Sequence, residues 1–407
     1  MRSLDELAAN PGPDEAVTAA HPTPTQPAPA TRLDGVRLAV KDLVAVAGHP
    51  LRAGSLARAD APAEPRDAAI VALLRAAGAT VAGIVDLHEI AFGTTGINDQ
   101  VGFPRNPHDA ERIPGGSSSG SAVAVAEGRA DLAIGTDTGG SIRIPAALCG
   151  VVGFKPSYAR YPTDGVLALS PTLDHVGLLA PTVAGIVAAH RALTGEAPTP
   201  VRRPGRLGVD RTALVVADAP VAAAVDAALR TLHDAGWELV DVTWPERARI
   251  QEVTTAIMFA EAATVHRTLL ETHGDKLGAD VLARLRVGAA IPAADHRAAA
   301  ADAVELHAEV TAQLATVDAV VGPTLPVVAP TVAETRADAT WPARLVSNTR
   351  LANVTGVAAL SLPLATNSDG ATDGHSRGGL PVGLQVLAAS DAQALAVATA
   401  IWQPEGA

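Results

Sequence analysis

The stretch IPGGSSSGSAVAVAEG (113–128), followed after three further residues by LAIGTDTGGSIRIPAALCG (132–150), is the most informative part of this 407-residue sequence. The first segment has the composition of a flexible Gly/Ser linker, yet it continues without a compositional break into helix-forming AVAVAEG. No lysine follows the glycines as a phosphate-binding loop requires, and no G-x-S-x-G nucleophile elbow is present. The segments therefore predict a helix over AVAVAEG and a strand over ADLAIGTD, each beside a glycine–serine turn.

The turn of the second segment, Thr138-Gly139-Gly140-Ser141, has the composition of an oxyanion turn that carries a nucleophile. Because glycine tolerates the φ values required, consecutive backbone N–H groups can point toward one oxygen. Preorganised donors of this kind contribute roughly 2.7–4 kcal/mol each to stabilisation of a transition state. A tight structural turn has the same composition, so spacing alone leaves both interpretations open.

A serine nucleophile needs a base, and lysine is the informative residue type. None of the 12 histidines lies in a catalytic or metal-binding motif. The chain has only three lysines among 31 basic residues, and a lysine is needed where the group must lose its proton. Burial would lower the pKa of Lys41 and make it a base, with Ser117 as a hydroxyl that relays the proton from Ser141. Chance retention of Lys41 is the alternative interpretation.

Strands and helices alternate on both sides of these segments. VRLAVKDLVAVAG predicts a strand with Lys41 at or near its buried end, and RDAAIVALLRAAG and TVAGIVD predict a helix and a strand. Further on, APVAAAVDAALRTLHDAG predicts an amphipathic helix, and WELVDVTWP and LPVGLQVLAA predict strands. This alternation indicates an α/β fold with a covered sheet. Residues 1–32, rich in Ala and Pro, predict a loose N-terminal arm.

The composition narrows the classes of function. The formal charge of −12 argues against nucleic acid or an anionic lipid surface as the main partner. A single cysteine, Cys149, excludes an internal disulfide framework and any Cys-rich metal site. No apolar stretch reads as a membrane span of ~20 residues, and no secretory signal is visible. We therefore expect a cytoplasmic protein with no membrane partner.

The segments IPGGSSSGSAVAVAEG, LAIGTDTGGSIRIPAALCGVVGFKPSYARYPTDGV and LSPTLDHVGLL together resemble the amidase signature hydrolases. The resemblance is strong over about residues 33–185 and continues weakly through TRLANVTGVAALSLPLA and GGLPVGLQVLA. It implies one α/β domain over residues 33–407, built on a mixed twisted sheet with helices on both faces. It also implies hydrolysis of C–N amide bonds with no metal and no cofactor.

The same resemblance assigns roles to individual residues. Lys41 corresponds to the family's catalytic lysine, Ser117 to the bridging serine, usually in a cis peptide, and Ser141 to the serine that forms the acyl-enzyme. Thr138, Gly139 and Gly140 correspond to oxyanion-hole positions. Ser117, Ser118 and Ser119 form a serine run. Sequence spacing alone does not distinguish Ser117 from its two neighbours, and only the family correspondence selects it.

Several functions fit the resemblance. The first is an amidase that cleaves a small-molecule amide to a carboxylate plus ammonia or an amine. The others are the A-type component of a glutamyl-tRNA amidotransferase complex, a hydrolase of allophanate or another urea derivative, and a binding protein without activity. FGTTGIN stands where amidotransferase subunits usually carry a GSSTE-like stretch, which argues against the second, and an intact Lys–Ser–Ser set argues against the last. A homodimer is one assembly to be considered.

The sequence does not name the substrate, because pocket walls rather than the fold decide specificity. The candidates for the pocket wall are Met258, Phe259 and the loop Asp164–Leu167, for which ordinary core packing is the alternative. The arginines that could bind an acidic substrate, or serve as structural ion-pair residues instead, are Arg143, Arg160 and Arg350.

Overall fold

Ten strands form one continuous sheet. The structure is a computed structural model that describes residues 31–201, 203–364 and 379–402. The predicted arm over residues 1–32 lies outside the described residues except for its last two. In chain order the strands are β1 (Arg37–Lys41), β2 (Thr80–Val85), β3 (Leu132–Asp137), β4 (Val152–Lys155), β5 (His175–Ala180), β6 (Arg206–Val209), β7 (Glu238–Asp241), β8 (Ala319–Pro323), β9 (Ala358–Leu364) and β10 (Val382–Ala388).

The sheet is mixed, as the resemblance implied. Its strand order is β2-β1-β3-β5-β4-β9-β10-β8-β6-β7. Pairing is parallel toward both edges, where β1 lies between β2 and β3, and β6 lies between β7 and β8. Pairing is antiparallel through the centre, from β3 across β5, β4, β9 and β10 to β8.

Helices connect and cover the strands. The α-helices of the described residues are α1 (Ala69–Ala76), α2 (Ser119–Ala126), α3 (Arg143–Cys149), α4 (Val183–Thr194), α5 (Arg211–Val215), α6 (Ala219–Asp234), α7 (Arg247–Val265), α8 (Arg267–His273), α9 (Ala279–Ala289), α10 (Ala293–Leu314), α11 (Val332–Ala337), α12 (Trp341–Val346), α13 (Arg350–Val354) and α14 (Asp391–Ile401). None of these helices is both long enough and apolar enough to cross a membrane.

Both faces of the central part of the sheet are buried. Every residue of β3, β5 and β10 is buried, although successive side chains of a strand point to opposite faces. Ala133 and Leu179 pack with α2 and α3, whereas Leu132 and Leu178 belong to the larger core that includes α4. The expectation of an α/β domain with a mixed sheet flanked by helices is confirmed.

The topology brings the two glycine–serine segments and Lys41 together at the carboxyl ends of two neighbouring strands. Because β1 and β3 are adjacent and parallel, their carboxyl ends lie side by side. Lys41 is the last residue of β1 and Asp137 is the last residue of β3. The helix α2, which starts inside the serine run at Ser119, packs against both strands.

Candidate active site

Lys41 is fully buried and its amine is surrounded by hydroxyl groups. Nζ lies 2.8 Å from Oγ of Ser117, 3.0 Å from Oγ of Ser118 and 2.7 Å from Oγ1 of Thr136. The predicted strand places Lys41 here because it ends the buried strand β1, beside the end of β3 that carries Thr136. The predicted contact between Lys41 and Ser117 is therefore present.

Burial decides the charge state of this amine. It lowers the pKa of Lys41 to about 7, although the carboxylates of Asp137 and Asp174 act in the opposite direction. A neutral amine has two N–H donors and one lone pair. If it donates to Ser118 and Thr136, the lone pair remains to accept a proton from Ser117.

The hydroxyls of Ser117 and Ser118 differ in their other partners. Oγ of Ser118 donates to the carbonyl oxygen of Thr136 at 3.1 Å and accepts from the Thr136 N–H at 3.3 Å. Its proton is therefore committed to the backbone of β3. The hydroxyl of Ser117 has Lys41 as its hydrogen-bond partner, which leaves it able to exchange a proton with a second group. Oγ of Ser119 is buried without a partner among the described residues.

The serine run is a tightly packed turn and not a linker. The Gly116–Ser117 peptide bond is cis, as the resemblance implied. A Cβ on Gly116 would lie 2.7 Å from the backbone nitrogen of Gly96, so only glycine fits between the two segments. The carbonyl of Ser117 accepts from the His88 N–H at 3.1 Å, which fixes the other side of the turn.

The turn that carries Ser141 is attached directly to the serine run, because the Ser118 N–H donates to the Ser141 carbonyl at 3.1 Å. Ser141 is nearly buried, with 6% of its surface exposed. Gly140 has φ +135°, a conformation that favours glycine. A Cβ at Gly140 would lie 2.2 Å from Oγ1 of Thr349, so the turn also needs glycine for space.

One backbone donor of the predicted oxyanion turn is already used. The Gly140 N–H donates to Oδ1 of Asp137 at 2.7 Å. Among the described residues, the N–H groups of Thr138, Gly139 and Ser141 have no hydrogen-bond acceptor. The expectation for Gly140 as an oxyanion donor therefore does not fit this geometry, whereas Thr138, Gly139 and Ser141 carry free N–H groups. The hydroxyl of Thr138 points elsewhere and donates to Oδ1 of Asp174 at 2.6 Å.

A buried ion pair between Arg143 and Asp137 stabilises the turn that carries Ser141. The guanidinium of Arg143 lies 2.9 Å from the carboxylate of Asp137, and neither side chain is exposed. Burial by itself would raise the pKa of Asp137, but Arg143, together with Lys155 and the Asn353 amide, outweighs it and holds that pKa well below its usual range. Arg143 also donates to Oδ1 of Asn353, Oε1 of Gln385 and the carbonyl of Thr349. Arg143 is thus structural, the second of its two predicted roles.

The other arginines and the pocket candidates occupy different places. Arg160 forms ion pairs with Glu196 and Asp391, which favours its structural role as well. The terminal carbon of Met258 lies 3.0 Å from where a Cβ of Gly139 would stand, and Cγ of Arg350 lies 3.8 Å from the same point. Both therefore adjoin the turn Thr138–Ser141, the nucleophile turn.

The other two candidates for the pocket wall are Phe259 and the loop Asp164–Leu167. The Phe259 ring packs edge-on against Phe92, with centroids 5.1 Å apart. The loop packs on the chain that follows Lys41, where the Leu167 N–H donates to the carbonyl of Leu43 at 2.9 Å. Phe259 and Leu167 pack in or against the hydrophobic core, as the alternative interpretation expects, whereas Asp164 pairs with the exposed Arg66.

Sequence reasoning missed three groups that shape the site, Thr136, Asp137 and Asp174. All three lie inside the motifs that carry the family resemblance, and that was the only signal available. Burial raises the pKa of Asp174 to about 6, although the Thr138 hydroxyl and two backbone N–H groups oppose this. Within the described residues, no cluster of three or more His, Cys, Asp or Glu side chains is arranged to hold a metal ion.

Comparison with known proteins identifies the family. The amidase family model matches residues 8–394, so the chain belongs to the amidase family. The A-type glutamyl-tRNA(Gln) amidotransferase subunit from Halobacterium salinarum is 34% identical over 397 residues, which cover 87% of this chain and 91% of that protein. The indoleacetamide hydrolase of Pseudomonas syringae pv. syringae is 41% identical over 232 residues, covering 56% of this chain and 51% of that protein.

The fold is also similar to that of a solved amidase structure. A crystal structure of an amidase superposes with a TM-score of 0.81 at 36% sequence identity. The superposition covers 90% of this chain and 83% of that chain.

Proposed function

We propose that this protein hydrolyses the C–N bond of a small-molecule amide through an acyl-enzyme on Ser141, with Ser117 and Lys41 as the proton relay. The observation that carries the proposal is the buried amine of Lys41, 2.8 Å from the Ser117 hydroxyl. A lysine with its pKa lowered to about 7 is substantially neutral at physiological pH, and a neutral amine can accept a proton.

The first half-reaction forms the acyl-enzyme. Oγ of Ser141 attacks the amide carbonyl carbon, its proton passes to Oγ of Ser117, and the Ser117 proton passes to Nζ of Lys41. The carbonyl oxygen becomes negative, and the free N–H groups of Thr138, Gly139 and Ser141 stabilise it. The C–N bond then breaks as the proton on Lys41 returns through Ser117 to the leaving nitrogen, which departs as ammonia or an amine.

The second half-reaction repeats the relay with water as the nucleophile. Water loses its proton through Ser117 to Lys41 and attacks the acyl carbon. The ester bond to Ser141 breaks as the proton on Lys41 returns through Ser117 to Oγ of Ser141, and the product leaves as a carboxylic acid that loses its proton to solvent. The relay serves both steps because the same amine is first a base and then an acid.

A panel of aliphatic, aryl and urea-type amides, assayed for ammonia release, tests this function. The wild type should hydrolyse at least one class, and Ser141→Ala should abolish turnover with an unchanged circular dichroism spectrum. A urea-type amide as the preferred class would identify the hydrolase of urea derivatives. Absence of turnover across the panel, or full turnover by Ser141→Ala, would overturn the proposal.

A component of an amidotransferase complex is a second candidate, favoured by the identity to the Halobacterium salinarum protein over nearly its full length. In that case glutamine would be the amide and a partner protein would receive the ammonia. Co-purification of the chain from its own cells, with identification of bound proteins, distinguishes the two candidates. A chain that elutes without partners and hydrolyses other amides faster than glutamine supports the stand-alone amidase.

A further inference from the structure

Arg350 lies beside the nucleophile turn at the start of α13. The preceding residue, Thr349, donates from its hydroxyl to the carbonyl of Gly139 at 2.6 Å. The Cγ carbon of Arg350 is 3.8 Å from where a Cβ of Gly139 would stand, next to the terminal carbon of Met258. The stem of Arg350 therefore covers the residue whose free N–H faces the reacting carbonyl in the proposed mechanism.

The guanidinium of Arg350 has no acidic partner among the described residues. Nη1 donates to Oγ1 of Thr255 at 2.6 Å and to the carbonyl of Gln251 at 3.2 Å, both on α7 and both neutral. Nε is buried without an acceptor. Only 8% of the residue is exposed, and burial lowers its pKa to about 10, with no carboxylate that acts against the shift.

This arrangement is unusual because buried charges in proteins are normally paired. The two other arginines considered as anion binders follow the rule. Arg143 is paired with Asp137, and Arg160 with Glu196 and Asp391. Arg350 retains a nearly buried positive charge beside the site in a chain of net charge −12, so its missing counter-ion is a candidate for part of the substrate.

We propose that Arg350 binds a carboxylate carried by the acyl part of the substrate, so that the preferred substrates are monoamides of short dicarboxylic acids. The inference rests on the proposed function, because it uses the same turn to place the amide carbonyl. The guanidinium begins two bonds beyond the carbon that adjoins Gly139, which suits a short spacer between the carboxylate and the amide. Arginine forms charge-assisted, bidentate hydrogen bonds with a carboxylate.

The test compares two amides that differ in charge but hardly in shape, succinamate and succinamide. The wild type should prefer succinamate in kcat/KM. Arg350→Gln should reduce the ratio of kcat/KM for succinamate to that for succinamide by about 10- to 100-fold, the range expected for hydrogen bonds to a charged group. Arg344→Gln is the matched control, because Arg344 is partly exposed and paired with Asp218, and should leave the ratio unchanged.

Competitive inhibition of the wild type supplies a measurement that does not depend on how a variant folds. Succinate should inhibit at least tenfold more strongly than butyrate, and Arg350→Lys should keep part of the preference because it keeps the charge. An unchanged ratio in Arg350→Gln, equal inhibition by the two acids, or a wild type that prefers succinamide would each overturn the inference. If the wild type hydrolyses other amides but neither of these, only this inference fails, whereas the absence of any amide hydrolysis removes the proposed function itself.

Discussion

Lys41 shows how a charged side chain becomes a base through its surroundings. Its three contacts are hydroxyl groups, and its carboxylate neighbours act only through the longer-range field that raises its pKa. Removing water from an ammonium disfavours the charged form, so position at the end of a buried strand supplies the neutral amine. The same argument makes arginine an inadequate replacement, because its guanidinium stays protonated.

We therefore expect Lys41→Arg to be nearly as inactive as Lys41→Ala, each losing roughly 10²–10⁴-fold in kcat, the usual contribution of a positioned acid or base. Steady-state kinetics on the best amide of the panel measures this. An Arg variant that keeps most of the wild-type kcat with an unchanged pH profile would make Lys41 a structural charge only.

The pH dependence follows from the same group. The pKa of Lys41 is lowered to about 7, so kcat/KM should rise as the pH increases through about 7 and reach a plateau above it. The carboxylate of Asp174 raises the pKa of Lys41, so Asp174→Asn should lower it and move the rising limb to lower pH. A profile measured from pH 5 to 9 for both proteins checks the direction, and a shift to higher pH would contradict it.

The serine run permits a test in which three neighbours are compared. Ser117→Ala should lose orders of magnitude in kcat/KM, because the proton path from Ser141 to Lys41 is broken. Ser118→Ala and Ser119→Ala should lose less, since the Ser118 proton is committed to Thr136 and the Ser119 hydroxyl has no partner among the described residues. The reverse ranking would assign the bridge to another serine.

The sequence pointed to a single residue where one chemical argument selected it. The scarcity of lysine and the predicted buried strand selected Lys41, and the structure places it beside Ser117. Thr136 and Asp174 were not predicted as neighbours of the site. Their contacts depend on how distant parts of the chain are brought together by the sheet, and no local pattern contains that information.

At the scale of elements, long periodic segments were predicted well. The helix of APVAAAVDAALRTLHDAG is α6, with Val221 and Leu229 buried, and LPVGLQVLAA contains the fully buried β10. The short strand β4 was not predicted. Its four residues, VGFK, include a glycine and a lysine, and they form a strand because antiparallel neighbours lie on both sides.

The buried ion pair between Arg143, on α3, and Asp137 stabilises the nucleophile turn between them, and measurements of unfolding can test this. Arg143→Met should lower the free energy of unfolding by about 3–5 kcal/mol, because it leaves the buried carboxylate of Asp137 without its partner. Arg37→Met is the matched control. Its ion pair with Asp131 is half exposed, at 50% and 44%, and should contribute less than about 1 kcal/mol.

Urea denaturation of both variants measures the difference. Equal effects of the two substitutions would contradict the role of Arg143 in supporting the turn.

At the scale of the whole molecule, the sequence predicted the class of fold but not the order of the strands. Alternating strands and helices indicate a covered sheet, whereas the insertion of β5 and β4 between β3 and β9 depends on packing between distant segments. The pocket wall was uncertain for the same reason. Met258 and Arg350 reach Gly139 from α7 and α13, more than 100 residues away in the chain.

The central claim is that Ser141 is the nucleophile of a serine–serine–lysine relay, and labelling with a fluorophosphonate tests it most directly. Intact-protein mass spectrometry followed by peptide mapping should find one adduct, on Ser141. The adduct should be absent from Ser141→Ala and form much more slowly in Lys41→Ala. An adduct on another residue, or full labelling of Ser141→Ala, would contradict the account.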